Sequence, residues 1–290
     1  MQTRINIACS GARTINVVSA AAHGEPYLGE PPQMDQLAGF ARRNTIKMVV
    51  LSIGGNDLGF GRVLGACVRL YMFHPLRDPC NQEQDPVIRQ GVINTEPLIR
   101  LAIQQIRLTL TMAGYPADSY RIVVQSYPSP VTTAANNRYT QDNRGGRNVH
   151  GGCPMFDADF DWARNDVVPS IANMIRGAAR AENVESLDLR DLMNGHEVCA
   201  KGVGHSSRFN SLTNPLDPAL SEWSRFLVLM ESQGTSQESM HPNYYGQLAL
   251  GACLGKVAAA DGTKKRHVCT NNGGQPGDVT VRSAYWRDDQ

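Results

Sequence analysis

The chain contains no apolar run long enough to cross a bilayer, which takes about 20 residues. It has almost no net charge, with 28 basic against 27 acidic side chains, so electrostatics make no case for nucleic acid or an anionic membrane as partner. No two cysteines stand in a Cys-x-x-Cys pair, which argues against a zinc ribbon or a thioredoxin-like centre. No internal repeat or low-complexity tract is present, which excludes solenoid and fibrous designs. The opening Met1–Cys9 is too short and too polar for an export signal, a reading that by itself points to the cytoplasm.

What is present describes a globule. The 290 residues, 41% hydrophobic and 19% charged, suffice for a sizeable core in one large domain or two small ones. The seven cysteines contradict a cytoplasmic reading. Their wide spacing in a Gly-, Asn- and Pro-rich chain suits disulfides and an oxidising compartment. The local pairings are Cys67 with Cys80, Cys153 with Cys199, and Cys253 with Cys269, each contributing roughly 2–4 kcal/mol. Cys9 is left over. The competing view is a reduced intracellular α/β protein with seven free thiols.

Apolar patterning predicts strands alternating with helices. Ile5–Cys9, Ile46–Ile53, Tyr120–Ser126 and Val184–Leu189 read as strands, and Val279–Trp286 as a last one. Helices are predicted over Gln33–Asn44, from Asp57 to about Met72, Glu96–Ala113, Asp161–Arg180 and Leu248–Ala260. In the third of these, Ile99, Ile103, Ile106 and Leu110 form one stripe. Phe73–Pro86 and Thr132–Pro154 read as long loops that shape a pocket. The alternation implies βαβ units and a parallel sheet covered on both faces. A polar tail begins near Asp261.

Two stretches carry candidate chemistry. Ser52-Ile53-Gly54-Gly55-Asn56-Asp57 ends a buried strand in a tight turn, and open α/β sheets place ligands at such carboxyl ends. The bland reading of Asn56 or Asp57 is a helix cap. Far downstream, Glu238-Ser239-Met240-His241-Pro242-Asn243 leads into a helix. A histidine there can serve as a general base, with a carboxylate three residues earlier to orient it. Of the other histidines, His23, His74, His150, His205 and His267 read as loop residues. His196 reads as structural, beside a disulfide.

Taken together these stretches resemble the SGNH (GDSL-type) hydrolases, closest to secreted, disulfide-containing actinobacterial esterases and lipases. Ala8-Cys9-Ser10-Gly11-Ala12 is similar to the second block of that family, Gly54-Gly55-Asn56-Asp57 to the third, and His241-Pro242-Asn243 with Gly246-Gln247 to the last. The resemblance covers nearly the whole chain. It implies a three-layer α/β/α sandwich on a parallel, flavodoxin-like sheet over residues 1–262, followed by a C-terminal tail over 263–290 tied back by a disulfide. It implies His241 as catalytic base and oxyanion donors from the Asn56 side chain and the Gly11 N–H. Glu238 stands where the family usually has an aspartate; some members orient the histidine with a backbone carbonyl instead. Neither metal nor organic cofactor is implied, and the substrate is a small-molecule, lipid or glycan ester.

The family's first block, Gly-Asp-Ser, is absent from the sequence. In relatives it lies on the first strand and supplies the nucleophile. A missing N-terminal piece would account for three oddities at once: no nucleophile, an unpaired Cys9 and no export signal. The expectation is a sheet lacking its first strand and a chain that is weak or inactive as an esterase. Ser10 is a poor substitute, being one strand away. The alternative is a relative that keeps the fold as a non-catalytic binding module. Acyl and alcohol specificity and oligomeric state are not legible in the residues.

Overall fold

The computed structural model describes residues 4–74, 78–204, 215–228 and 236–289. His205 and part of the expected Phe73–Pro86 loop lie outside them. Strands β1 (Met48–Leu51), β2 (Arg121–Gln125), β3 (Glu185–Asp188) and β4 (Arg266–Asn271) run parallel in that spatial order. β5 (Val279–Ala284) adds antiparallel to β4, so the sheet is mixed rather than wholly parallel. Helices α1 (Thr14–Val17), α2 (Gln33–Ala41), α3 (Phe60–Phe73), α4 (Asn81–Met112), α5 (Asp157–Trp162), α6 (Val168–Ala181) and α7 (Tyr244–Ala259) complete the layers.

Alternation along β2 builds two cores. Ile122 and Val124 face α4 and α6, where the Ile99, Ile103, Ile106 and Leu110 stripe is fully buried. Val123 faces the other way, joining Leu187 of β3 and Ala249, Cys253 and Val257 of α7. The result is the expected α/β/α sandwich. The three disulfides are Cys67–Cys80, Cys153–Cys199 and Cys253–Cys269, and Cys9 is free.

Several elements depart from the sequence reading, each through a tertiary contact. Helix α4 starts at Asn81 rather than Glu96 and runs through Pro86 and Pro97. Its polar first half is anchored by the Cys67–Cys80 disulfide, and the Asp159 carboxylate accepts the Asn81 N–H at 3.0 Å. Ile5–Cys9 is no strand, because it gains no ladder partner. Among the described residues β1 pairs on one side only, with β2, and its Val50 is 37% exposed. Within residues 263–290, read as a polar tail, Val279–Ala284 is the expected last strand and the expected Cys253–Cys269 disulfide ties the segment to α7, but Arg266–Asn271 enters the sheet as a strand, β4, that the polar pattern does not predict.

His267 corrects another expectation: it is fully buried in β4, not in a loop. Its Nε2 lies 3.0 Å from Glu185 Oε2 and its Nδ1 2.8 Å from the Ser283 hydroxyl. Glu185 also receives two bonds from Arg121, at 2.7 and 2.6 Å. Arg121 extends to the carbonyls of Val257 and Ala260 at the end of α7, where a cation suits the helix dipole. One charged cluster thus ties β2, β3, β4 and α7 together.

Candidate active site

The turn after β1 is shaped by its first glycine. Gly54 has φ +106°, and a Cβ there would lie 2.9 Å from Ile99 Cδ1 of α4. Only glycine satisfies both constraints. The Gly55 N–H donates to the Tyr127 hydroxyl at 3.3 Å, which fixes the turn to the end of β2. Burial pushes the Tyr127 phenol above its ordinary pKa, so it stays protonated.

Asn56 and Asp57 hold a second turn beside the first. Asn56 is exposed, and its Nδ2 donates to the Ala12 carbonyl at 3.0 Å. Asp57 accepts the Thr14 N–H on both oxygens at 3.1 Å and the Thr14 hydroxyl at 2.6 Å. Gly11, at φ +86°, lies one residue from Ala12, and a Cβ on it would meet the Tyr27 hydroxyl at 2.4 Å. The structure therefore brings the Gly11 and Asn56 segments together. The amide has a second N–H beyond the one spent on Ala12.

The His241 segment is braced on both sides. Met240 N–H donates to the Arg225 carbonyl at 2.9 Å and Arg225 N–H to the His241 carbonyl at 2.8 Å. Met240 is held at φ +62°, a left-handed conformation that bulky residues rarely adopt. Asn243 caps α7 by accepting the N–H groups of Tyr245 and Gly246, while its own amide donates to the Glu222 carbonyl at 2.6 Å. This bracing leaves the His241 side chain exposed.

The ring's tautomer follows from its partner. His241 Nδ1 lies 3.0 Å from the Ser239 carbonyl oxygen, which can only accept. Nδ1 therefore carries a proton, which in the neutral ring places the lone pair on Nε2, an atom with no hydrogen bond to any described residue. Glu238 does not touch the ring; its carboxylate pairs with Arg225 at 3.3 Å. Its link to His241 is through backbone, the His241 N–H donating to the Glu238 carbonyl at 3.2 Å.

Both halves sit over the carboxyl ends of the parallel strands. Asn56 follows β1, and the His241 segment hangs on the loop after β3. There Ser224, bridged to Pro242, donates to Met193 Sδ at 3.0 Å. Met240, Phe226 and Ile53 belong to one buried cluster, with Tyr127 packed on it. No hydrogen bond runs directly between the two halves among the described residues. His196 is a packing residue: it is stacked on Trp223 with centroids 4.0 Å apart, and its Nδ1 is bonded to the Ser221 carbonyl at 2.8 Å. Burial lowers its pKa and keeps the ring neutral. Sequence reasoning missed Tyr127 and Arg225 as supports of the site. Their bonds span 72 residues and a chain reversal, and no local pattern marks them.

Among the described residues, Cys67, Cys80 and Asp159 are the one group within metal-ligating reach of one another, but the two sulfurs are joined in a disulfide. No helix is long and apolar enough to cross a membrane among the described residues.

Residues 1–247 match the model of the GDSL-like Lipase/Acylhydrolase family. Among solved structures, the chain is similar to an extracellular lipase from Streptomyces rimosus, at 18% identity and a TM-score of 0.47, over 82% of this chain and 73% of that one. It is also similar to phospholipase A1 from Streptomyces albidoflavus NA297, at 20% identity and a TM-score of 0.42, over 72% of this chain and 70% of that one. No curated protein matches it.

Proposed function

Since the chain belongs to the GDSL-like lipase/acylhydrolase family, we propose that its complete form hydrolyses carboxylic esters through a serine acyl-enzyme, with His241 as the base. The observation that carries this reading is the 3.0 Å contact between His241 Nδ1 and the Ser239 carbonyl oxygen, from which the tautomer follows. Its protonated Nδ1 is held by the Ser239 carbonyl, and its bare Nε2 is free to take a proton from a hydroxyl.

In that reaction a serine oxygen bonds to the ester carbonyl carbon while its proton passes to Nε2. The tetrahedral oxyanion is met by the second N–H of Asn56 and the N–H of Gly11. Collapse breaks the bond to the alcohol oxygen, which leaves with the proton from the imidazolium. Water then repeats the sequence to release the acid. One oxyanion donor is worth roughly 10²–10³ in rate. The Ser239 carbonyl, rather than Glu238, orients the ring, as the geometry favours; Glu238 supports it through Arg225.

The attacking serine belongs to a strand that pairs with the free edge of β1. The one-sided pairing of β1 and the exposure of Val50 support this. On this reading the chain without that strand has weak or no turnover. Three disulfides favour an oxidising, extracellular setting.

The test is ester turnover by the product of the longest open reading frame that contains this chain. His241→Ala should reduce kcat at least about a thousandfold, and Glu238→Gln less than about tenfold. A fluorophosphonate probe should label one serine outside residues 1–290. Retained turnover in His241→Ala would refute the assignment of the base, and labelling of Ser10 would refute that of the nucleophile.

A further inference from the structure

A second feature of the sheet's carboxyl end lies outside the machinery above. The loops after β2 and β3 border, with the helical segment before α6, an open cleft of about 390 Å³. This volume is at the lower end of the range of small-molecule sites. One wall is Arg164, which belongs to the π-helical turn Ala163–Val167 inserted between α5 and α6. Such wide turns recur at functional sites because they push a side chain out of helical register.

The wall chemistry narrows what can bind. Gly195 and Ala200 are the only lining residues without a polar side chain, so an acyl chain finds a mainly polar wall there. An anion is no better served. Arg164 Nη2 is already committed to Asp191 Oδ1 at 2.6 Å and Asn194 Oδ1 at 2.7 Å, with Glu197 Oε1 4.0 Å from Nε. Lys201 Nζ donates to the Ala135 carbonyl at 2.7 Å. Arg164 is thus balanced by carboxylates, and Lys201 lies exposed at the rim with one of its three N–H groups bonded.

Neutral donors and acceptors remain. Thr132 is 3% exposed, yet its hydroxyl bonds to no described residue, and the half-buried Thr133 and exposed Asn136 and Asn165 side chains likewise bond to none of the described residues. Glu197, also 3% exposed, accepts the Gly195 N–H on Oε2 at 2.8 Å, which leaves Oε1 facing Arg164 without a short bond. Alternating amides, hydroxyls and one carboxyl, around a small wet space, match a ligand that both donates and accepts at every position.

We propose that this cleft is a binding site for a neutral polyhydroxyl group, either a sugar ring or a glycerol unit. Its hydroxyls bond Thr132, Asn136 and Glu197, with Arg164 as a fixed wall. His241 does not line the site, and binding does not depend on the ester-hydrolase reading.

The test is ligand-observed NMR titration of the full chain, as wild type and as Asn136→Ala, Glu197→Gln and His241→Ala, with glucose, glycerol, inorganic phosphate and decanoate as separate probes. Saturable binding of glucose or glycerol is expected. It should weaken about tenfold in Asn136→Ala and in Glu197→Gln, the size of one hydrogen bond each, and be unchanged in His241→Ala. Glucose alone identifies a sugar site and glycerol alone a glycerol site. The proposal is overturned if neither polyol binds, if polyol binding ignores both cleft variants, or if phosphate or decanoate is the probe whose binding those variants weaken.

Discussion

Replacing Glu197 by glutamine should stabilise the protein at pH 8 and leave its stability nearly unchanged near pH 4. Glu197 is almost fully buried, and that burial lifts its carboxyl from the usual 4.5 to about 7. The N–H groups of Glu197 itself and Gly195 and the charge of Arg164 act against the lift, and Asp191 adds to it. A carboxyl whose pKa is higher folded than unfolded favours the folded state while protonated, and that contribution is lost as pH rises through the folded value. The loss therefore falls between about pH 4.5 and 7, at close to 1.4 kcal/mol per pH unit, for a total of about 3 kcal/mol. Glutamine has the same shape, can still accept the Gly195 N–H and never ionises. Urea unfolding of both proteins at pH 4, 5, 6, 7 and 8 measures the difference. It should be near zero at pH 4 and grow to about 3 kcal/mol in favour of the variant by pH 8. A difference that stays flat with pH, or a variant less stable at pH 8, would refute the reasoning.

Other expectations are direct. Gly54→Ala should destabilise by about 2–4 kcal/mol, from a forced positive φ plus a Cβ pressed on Ile99. Thermal melts should then show a Tm lower by about 5 °C or more. Glu185→Gln should cost about 3 kcal/mol at pH 7 by stranding Arg121 against the His267 ring. Burial alone would raise the Glu185 carboxyl, but its bonds to Arg121 and His267 outweigh that and hold it below the usual range. The contribution of Glu185 is thus present above pH 4.5 and lost as pH falls through the lower folded value. The deficit of the variant should narrow on acidification, as read from urea midpoints at pH 7 and pH 3. Finally, alkylation in denaturant without reductant should modify one cysteine, Cys9, and identification of a second labelled residue by peptide mapping would contradict the disulfide set.

The sequence alone determined whatever depends on neighbours along the chain. The Ile99–Leu110 stripe, the apolar runs of β1 and β2, and the glycine turn before Asn56 are local patterns with one physical solution each. The three cysteine pairings, separated by 13, 46 and 16 residues, were legible for the same reason. The His-Pro-Asn helix entrance was legible too, because Asn243 caps α7 with its own side chain. Tertiary structure decided what depends on distant partners. The polar half of α4 is helical because Asp159 and a disulfide hold its end. Ile5–Cys9 is not a strand because a strand needs a ladder partner, and β1 does not offer it one. β4 reads as part of a polar tail because the partners that seat it, β3, β5 and the Glu185 carboxylate bonded to His267, are distant in sequence or follow it. The choice between Glu238 and a backbone carbonyl as partner of the His241 ring, left open by the sequence, turns on a distant residue as well. Arg225, brought in from 13 residues upstream, takes the Glu238 carboxylate, and the nearest carbonyl takes the ring.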